Sequence, residues 1–123
     1  MAIARNTNEN QIKALYGSQT RRYTLGATVT AGELVSMQSD TFVDPADTTS
    51  AAQTVVGVAM QAGVAGDIID VAIFGPVQCV TGGTAGAKLH ASDTAGEPAE
   101  SAGSNAGIAG WVESATVVFI NPQ

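Results

Sequence analysis

The sequence predicts an all-β protein, a compact domain of sandwich or barrel-like form. Three observations carry that expectation. First, short runs of β-branched and apolar residues recur along the chain: YTLGATV, ELVSMQ, TFVDP, TVVGVAM, DIIDVAIF, VQCV, AKLHAS and ATVVFI. Second, Gly, Asp, Pro and Ser separate these runs at the spacing expected of strands and turns. Third, no helical periodicity persists beyond residue 16. With 123 residues the chain forms one domain, and a domain of this size buries roughly two-thirds of the surface its unfolded chain exposes. Aromatics are only 5% of the chain, so Val, Ile, Leu and Ala must build the core.

Residues 1–22 read differently. ARNTNENQIKALYGSQTRR is polar, with Ile12, Ala14, Leu15 and Tyr16 as its one apolar knot. A helical turn is expected over Gln11–Tyr16, stopped at Gly17. A segment this polar cannot fold alone. It is therefore expected to be an extended N-terminal arm, separable from a β-rich domain over residues 23–123.

From Tyr23 onward the strands come in order. DIIDVAIF places Ile68 and Ile69 together, then alternates Val71 and Ile73 with Asp70 and Ala72, the pattern of a central strand. ATVVFI is a second central strand, ended by Asn121-Pro122. The segments 44–53 and 95–105 are small-residue surface loops. An internal echo joins the halves: TAG triplets begin at Thr30 and Thr84, and G-[VI]-A triplets begin at Gly57 and Gly107. Duplication and plain convergence on hairpin chemistry both explain it.

Charge is uneven. Residues 1–22 hold Arg5, Lys13, Arg21 and Arg22 against Glu9, while the remainder holds Lys88 against ten acids, within a net charge of −6. A basic head on an acidic body argues against direct nucleic-acid binding and fits contact with an acidic protein surface. The same residues serve equally to keep a polar segment soluble. The N-terminus lacks the apolar middle of a signal peptide, and no run of about 18 apolar residues occurs to span a membrane. The protein is expected to be soluble and made in a reducing cytoplasm.

Chemical motifs fail on inspection. Asp67 and Asp70 are three apart, which on one strand points them to opposite faces. GGTAGAKL has Ala87 before Lys88 and Leu89 after it, which breaks the phosphate-loop pattern. Single residues Cys79 and His90 cannot make a zinc site, and Asp44 with Asp47 offers at most a weak calcium site. No cofactor is expected. Cys79, in VQCV, reads as a small buried hydrophobe. Trp111 in AGWVES is either a core residue or a subunit contact. GATVTAGELVSMQSD has the spacing of a lipoyl or biotinyl carrier hairpin, but Asp40-Thr41-Phe42 stands where the modified lysine belongs.

Over Leu25–Ile120 the chain resembles the small head decoration (capsid cement) proteins of tailed bacteriophages. The resemblance is carried by VTAGELVSM, VVGVAM-QAGVAGDIIDVAIFGPVQCV, TAGAKL, AGIAGWVES and TVVFI, in that order. It implies a β-tulip-like domain that forms homotrimers on the outer surface of an expanded head. There it would clamp adjacent major capsid proteins against the pressure of packaged DNA, without catalysis. Arg5, Lys13, Tyr16, Arg21 and Arg22 become the candidate capsid contacts, and Trp111 a subunit contact. The alternatives are another structural virion module, associated with tail or fibre, and, more remotely, an enzyme or small-ligand binder.

Overall fold

The computed structural model describes residues 3–122. The chain is nearly all β, a curled antiparallel sheet forming a half-barrel. Its elements are β1 (Ala4–Arg5), a 3₁₀ turn (Glu9–Gln11), β2 (Lys13–Ala14), β3 (Gln19–Thr24), β4 (Leu34–Met37), β5 (Val43–Pro45), β6 (Val55–Ala59), β7 (Ile68–Gln78), β8 (Val80–Thr81), β9 (Lys88–Ala91), β10 (Pro98–Ala99), β11 (Ile108–Val112) and β12 (Val117–Ile120).

The 11-residue β7 is the spine. Its first half pairs with β3 and β6, and its second half with β2 and β12. The main sheet runs β10-β9-β11-β12-β7-β6-β4-β5. That order contains the same motif twice. In the first unit β4 pairs with β5 and β6, and β6 pairs with β7. In the second, β9 pairs with β10 and β11, and β11 pairs with β12.

The main chain repeats in detail. The turns Thr30–Glu33 and Thr84–Ala87 each put glycine third at φ +89° and close with a bond from the fourth N–H to the first C=O. Glycine carries that conformation without steric cost. Gly32 N–H then donates to the Ala59 carbonyl and Ala59 N–H to Glu33; Gly86 N–H donates to Val112 and Val112 N–H to Ala87. Both units bulge at the same point, skipping Val56 in one and Ala109 in the other. At that point Gly57 and Gly110 lie against the next strand, where a Cβ would strike the carbonyl oxygens of Ala72 and Phe119. The repeat therefore matches Gly57 with Gly110, three residues beyond the Gly107 suggested by the sequence echo.

Two apolar clusters flank the first unit. Leu34, Val58 and Ala72 enter the larger cluster, while their neighbours Val35, Ala59 and Val71 enter the smaller one with Leu25, Val29 and Val43. Alternation along the strands sends adjacent side chains to opposite faces, so the first unit is covered on both. The second unit gives Leu89, Ala91, Ala109, Val112, Val118 and Ile120 to the larger cluster. Its intervening residues face out.

The expected N-terminal arm is not an arm. Ile3 and Ile12 are buried in the larger cluster. β1 pairs with β8, and β2 and β3 run antiparallel along β7. No boundary separates residues 3–22 from the domain. The helical turn expected at Gln11–Tyr16 is instead the 3₁₀ turn Glu9–Gln11 followed by a strand, its start capped by Asn8, whose side chain accepts from the Asn10 N–H. Tertiary pairing with β7 overrides a weak local preference. Truncating each buried isoleucine, Ile3→Ala or Ile12→Ala, is expected to cost about 2–4 kcal/mol of unfolding free energy. Urea denaturation followed by circular dichroism measures this; an unchanged midpoint would restore the arm.

Candidate functional site: an exposed aromatic face and a basic strand

The outward face of the second unit carries the largest exposed aromatic group. Trp111 on β11 lies directly across from Phe119 on β12, and Phe119 from Pro76 on β7. The Trp111 and Phe119 rings stack with centroids 4.4 Å apart at 2°, and Phe74 meets Phe119 edge-on at 5.2 Å and 84°. Such contacts fix ring orientation, yet Trp111 remains 40% and Phe74 41% exposed. The core alternative for Trp111 is thus overturned. Lys88 sits opposite Trp111, and His90 opposite Ile108, on the neighbouring β9. Burial, then Lys88, holds the His90 imidazole below its ordinary pKa, and its Nδ1 is enclosed without a hydrogen-bond partner.

A second candidate surface is β3 and the turn before it. Tyr16 is fully exposed at the turn joining β2 to β3, where Ser18 donates from both N–H and hydroxyl to the Leu15 carbonyl. Arg21 lies over the Tyr23 ring at 5.3 Å. Arg22 reaches Asp70 at 3.4 Å, across the β3–β7 pairing. Lys13 is exposed on β2. Arg5 does not belong to this surface. Its Nε donates to Glu97 at 3.0 Å and its guanidinium to the Ala31 carbonyl at 3.3 Å, which ties the chain start to the domain. So Tyr16 lies in the turn before β3, Arg21 and Arg22 alternate on opposite sides of that strand, and Arg5 and Trp111 lie apart from them.

Phe74 and Phe119 were not singled out from the sequence. Each is one apolar residue in a strand, and only the pairing register reveals that they flank one another. Asp67 and Asp70 do not cooperate: Asp67 accepts from the Val64 N–H in its own turn, while Asp70 pairs with Arg22. Asp44 and Asp47 line a shallow cavity of about 250 Å³ with Gln38, Ser50 and Gln53. Asp44 Oδ1 has no hydrogen-bond partner, and burial, then Asp40, raises its pKa. Among the described residues no three His, Cys, Asp or Glu side chains gather as metal ligands.

The two long loops are clasped together. Asp93 accepts from the Thr48 hydroxyl at 2.7 Å, from the Ser104 N–H at 2.9 Å and from the Ser104 hydroxyl. Asn105 donates to the Thr48 carbonyl at 2.8 Å. Thr48 itself is wholly buried. No protein-family model matches the chain, and no curated protein matches it.

Two tests follow from these environments. Burial pushes the Cys79 thiol up to about 12, so the native protein should not react with a thiol reagent at neutral pH. One thiol should titrate on unfolding; rapid labelling of native protein would contradict the burial. Hydrogen bonds from Ser104 and Thr48 hold the Asp93 carboxyl below its ordinary 3.8. Its folded value being lower than its unfolded one, the carboxylate favours the native state above the unfolded value. That contribution is lost as pH falls through the folded value. Thermal melts should therefore show wild type above Asp93→Asn near neutrality, the gap narrowing below pH 3.8.

Proposed function

We propose that this chain is a structural virion protein that decorates the outer surface of an expanded phage head and cements neighbouring major capsid proteins. The observation that carries the reading is the ordered series VTAGELVSM, VVGVAM-QAGVAGDIIDVAIFGPVQCV, TAGAKL, AGIAGWVES and TVVFI, which resembles head decoration proteins. The fold supports it. A doubled, antiparallel unit with its loops clasped is a stiff block, and stiffness keeps the ordering cost of a surface contact low. Tyr16 in the turn before β3, with Arg21 and Arg22 exposed on opposite sides of that strand, supplies an aromatic and two cations for contact with an acidic capsid surface.

Cementing needs no reacting group. A protein that binds the assembled lattice and not its dissociated parts stabilises the lattice by mass action. Several linked contacts on one oligomer multiply that effect through effective concentration.

The test is location and copy number on the particle. Electron microscopy of virions containing this polypeptide should show it at regular outer-shell positions, and gel densitometry should give copies in proportion to those positions. A handful of copies at a vertex or tail would instead establish a tail- or fibre-associated module. On the isolated domain, the triple variant Tyr16→Ala, Arg21→Glu, Arg22→Glu should keep its circular dichroism spectrum and lose shell binding by at least about tenfold. Full binding by that variant would move the capsid contact elsewhere.

A further inference from the structure

The two ends of the main sheet are blunted. β5 and β10, the outermost strands of its path, are three and two residues long, and each contains a proline. Proline withholds an N–H, and a short edge gives a foreign strand little to pair with. β3 is different. It is six residues long, QTRRYT, holds no proline, and pairs with β7 alone. Its far edge is open.

The main-chain bonds identify the groups along that edge. Leu25 N–H donates to the Asp67 carbonyl, and the Leu25 carbonyl accepts from Gly66 N–H, so Leu25 turns its backbone groups toward the β7 side. In an antiparallel pair that direction alternates along the strand. Tyr23 and Arg21 therefore share it, and Thr20, Arg22 and Thr24 turn their N–H and C=O groups outward. Two further bonds agree. Gly26 N–H, next in the outward series, donates to the Val43 carbonyl. Asp70, opposite Arg22, gives its carbonyl to Met60 N–H just beyond β6. Among the described residues nothing bonds to the outward backbone groups of Thr20, Arg22 and Thr24. Exposed rings stand near both ends of the edge: Tyr16 in the turn before β3, and Phe42 beside Gly26.

We infer that this open edge is a docking site for an extended acidic segment of another protein, which adds as a further strand beside β3. The three outward N–H groups and three outward carbonyls supply the main-chain bonds of such an addition. Charge selects the occupant. Arg21 and Arg22 project to opposite faces, so each meets alternate side chains of the added strand. Acids at those positions set opposite charges across the pair, which favours it. Arg22 already reaches Asp70 at 3.4 Å across the β3–β7 pair, and an added strand repeats that contact from the other side. A second copy of β3 would instead bring arginines together, which like-charge repulsion opposes. The site stands on the edge and its charge; assigning the acidic segment to a capsid protein rests on the decoration reading.

The test uses the isolated full chain, isotope-labelled for NMR, and an acetylated, amidated peptide of four Thr-Glu repeats. In the free protein the amides of Thr20, Arg22 and Thr24 should exchange with deuterium at least about tenfold faster than those of Arg21 and Tyr23. Millimolar peptide should shift the three outward amides and slow their exchange. Changing Arg21→Glu and Arg22→Glu together, both at exposed positions, should raise the peptide's dissociation constant by at least about tenfold with an unchanged circular dichroism spectrum. The same peptide N-methylated at alternate residues keeps its charge, loses main-chain donors and should not bind. Outward amides indifferent to the acidic peptide overturn the inference. So does equal binding of a Thr-Lys peptide, or of the N-methylated one, which would reduce the contact to charge. Outward amides already protected in a concentration-dependent way would give the edge to a second copy and overturn it too. A protein that binds the acidic peptide but coats no phage head upholds this site and overturns the decoration reading; a head-coating protein whose edge ignores acidic strands does the reverse.

Discussion

The constraint on which the structure depends is the pairing of β7 on both of its edges. Ile68–Gln78 is flanked by β3 and β6 along one half and by β2 and β12 along the other. A strand so placed has its backbone groups satisfied by neighbours. It also forces everything attached to it to curl, because each neighbour adds its own right-handed twist. The half-barrel follows from that one strand and from the bulges beside it. Gly57 and Gly110 sit at those bulges because the next strand's carbonyl occupies the space a side chain would need. The two units then share a backbone while differing freely in side chains.

That freedom produces the asymmetry of the molecule. One backbone plan, used twice, yields a unit buried on both faces and a unit buried on one. The difference lies in what fills corresponding positions. Val58 and Ala72 are small enough to pack beneath other strands, whereas Trp111 and Phe119 are not. An aromatic ring carries about 150–250 Å² of surface. Trp111 keeps 40% of its surface exposed beside the half-buried Phe119, apolar area that folding alone does not bury. Elsewhere Val64, Ile68 and Phe42 are also exposed, without a ring stack. Among surfaces of this chain, the aromatic face and the Tyr16–Arg22 edge are where contact with another molecule would bring most.

How much of this was legible in the sequence depends on whether the signal was local. Strand runs and turn residues are local, and the all-β class followed from them. The paired TAG turns were visible as triplets, because glycine at positive φ is a residue-level requirement. The match of Gly57 with Gly110 was not visible, since a bulge shifts the register without leaving a motif. The N-terminal segment misled for the same reason. Ile3 and Ile12 stand nine residues apart in polar sequence, and their burial depends on β7, β8 and the Gly32 turn, all distant along the chain. Arg5 looked like a free cation because its partner, Glu97, lies 92 residues away. Among the candidate contacts, Tyr16, Arg21 and Arg22 were grouped by sequence adjacency, which a turn and an exposed strand preserve. Phe74 and Phe119 needed the register.

The charges complete the picture by what they are bonded to. Glu33 accepts from the Thr30 N–H, Asp67 from Val64, Asp40 from Phe42 and Asp47 from Thr49. Glu100 accepts from Thr84 and Asp93 holds the two long loops together. Many of the acids that make the chain strongly negative are thus backbone partners in turns, where a carboxylate replaces a missing main-chain acceptor. Committed to those bonds, they serve the shape of the domain. The same bonds that hold the loops also spread negative charge over the surface. That charge opposes indiscriminate self-association. The shape of the turns and the acidity of the surface then rest on a single set of residues.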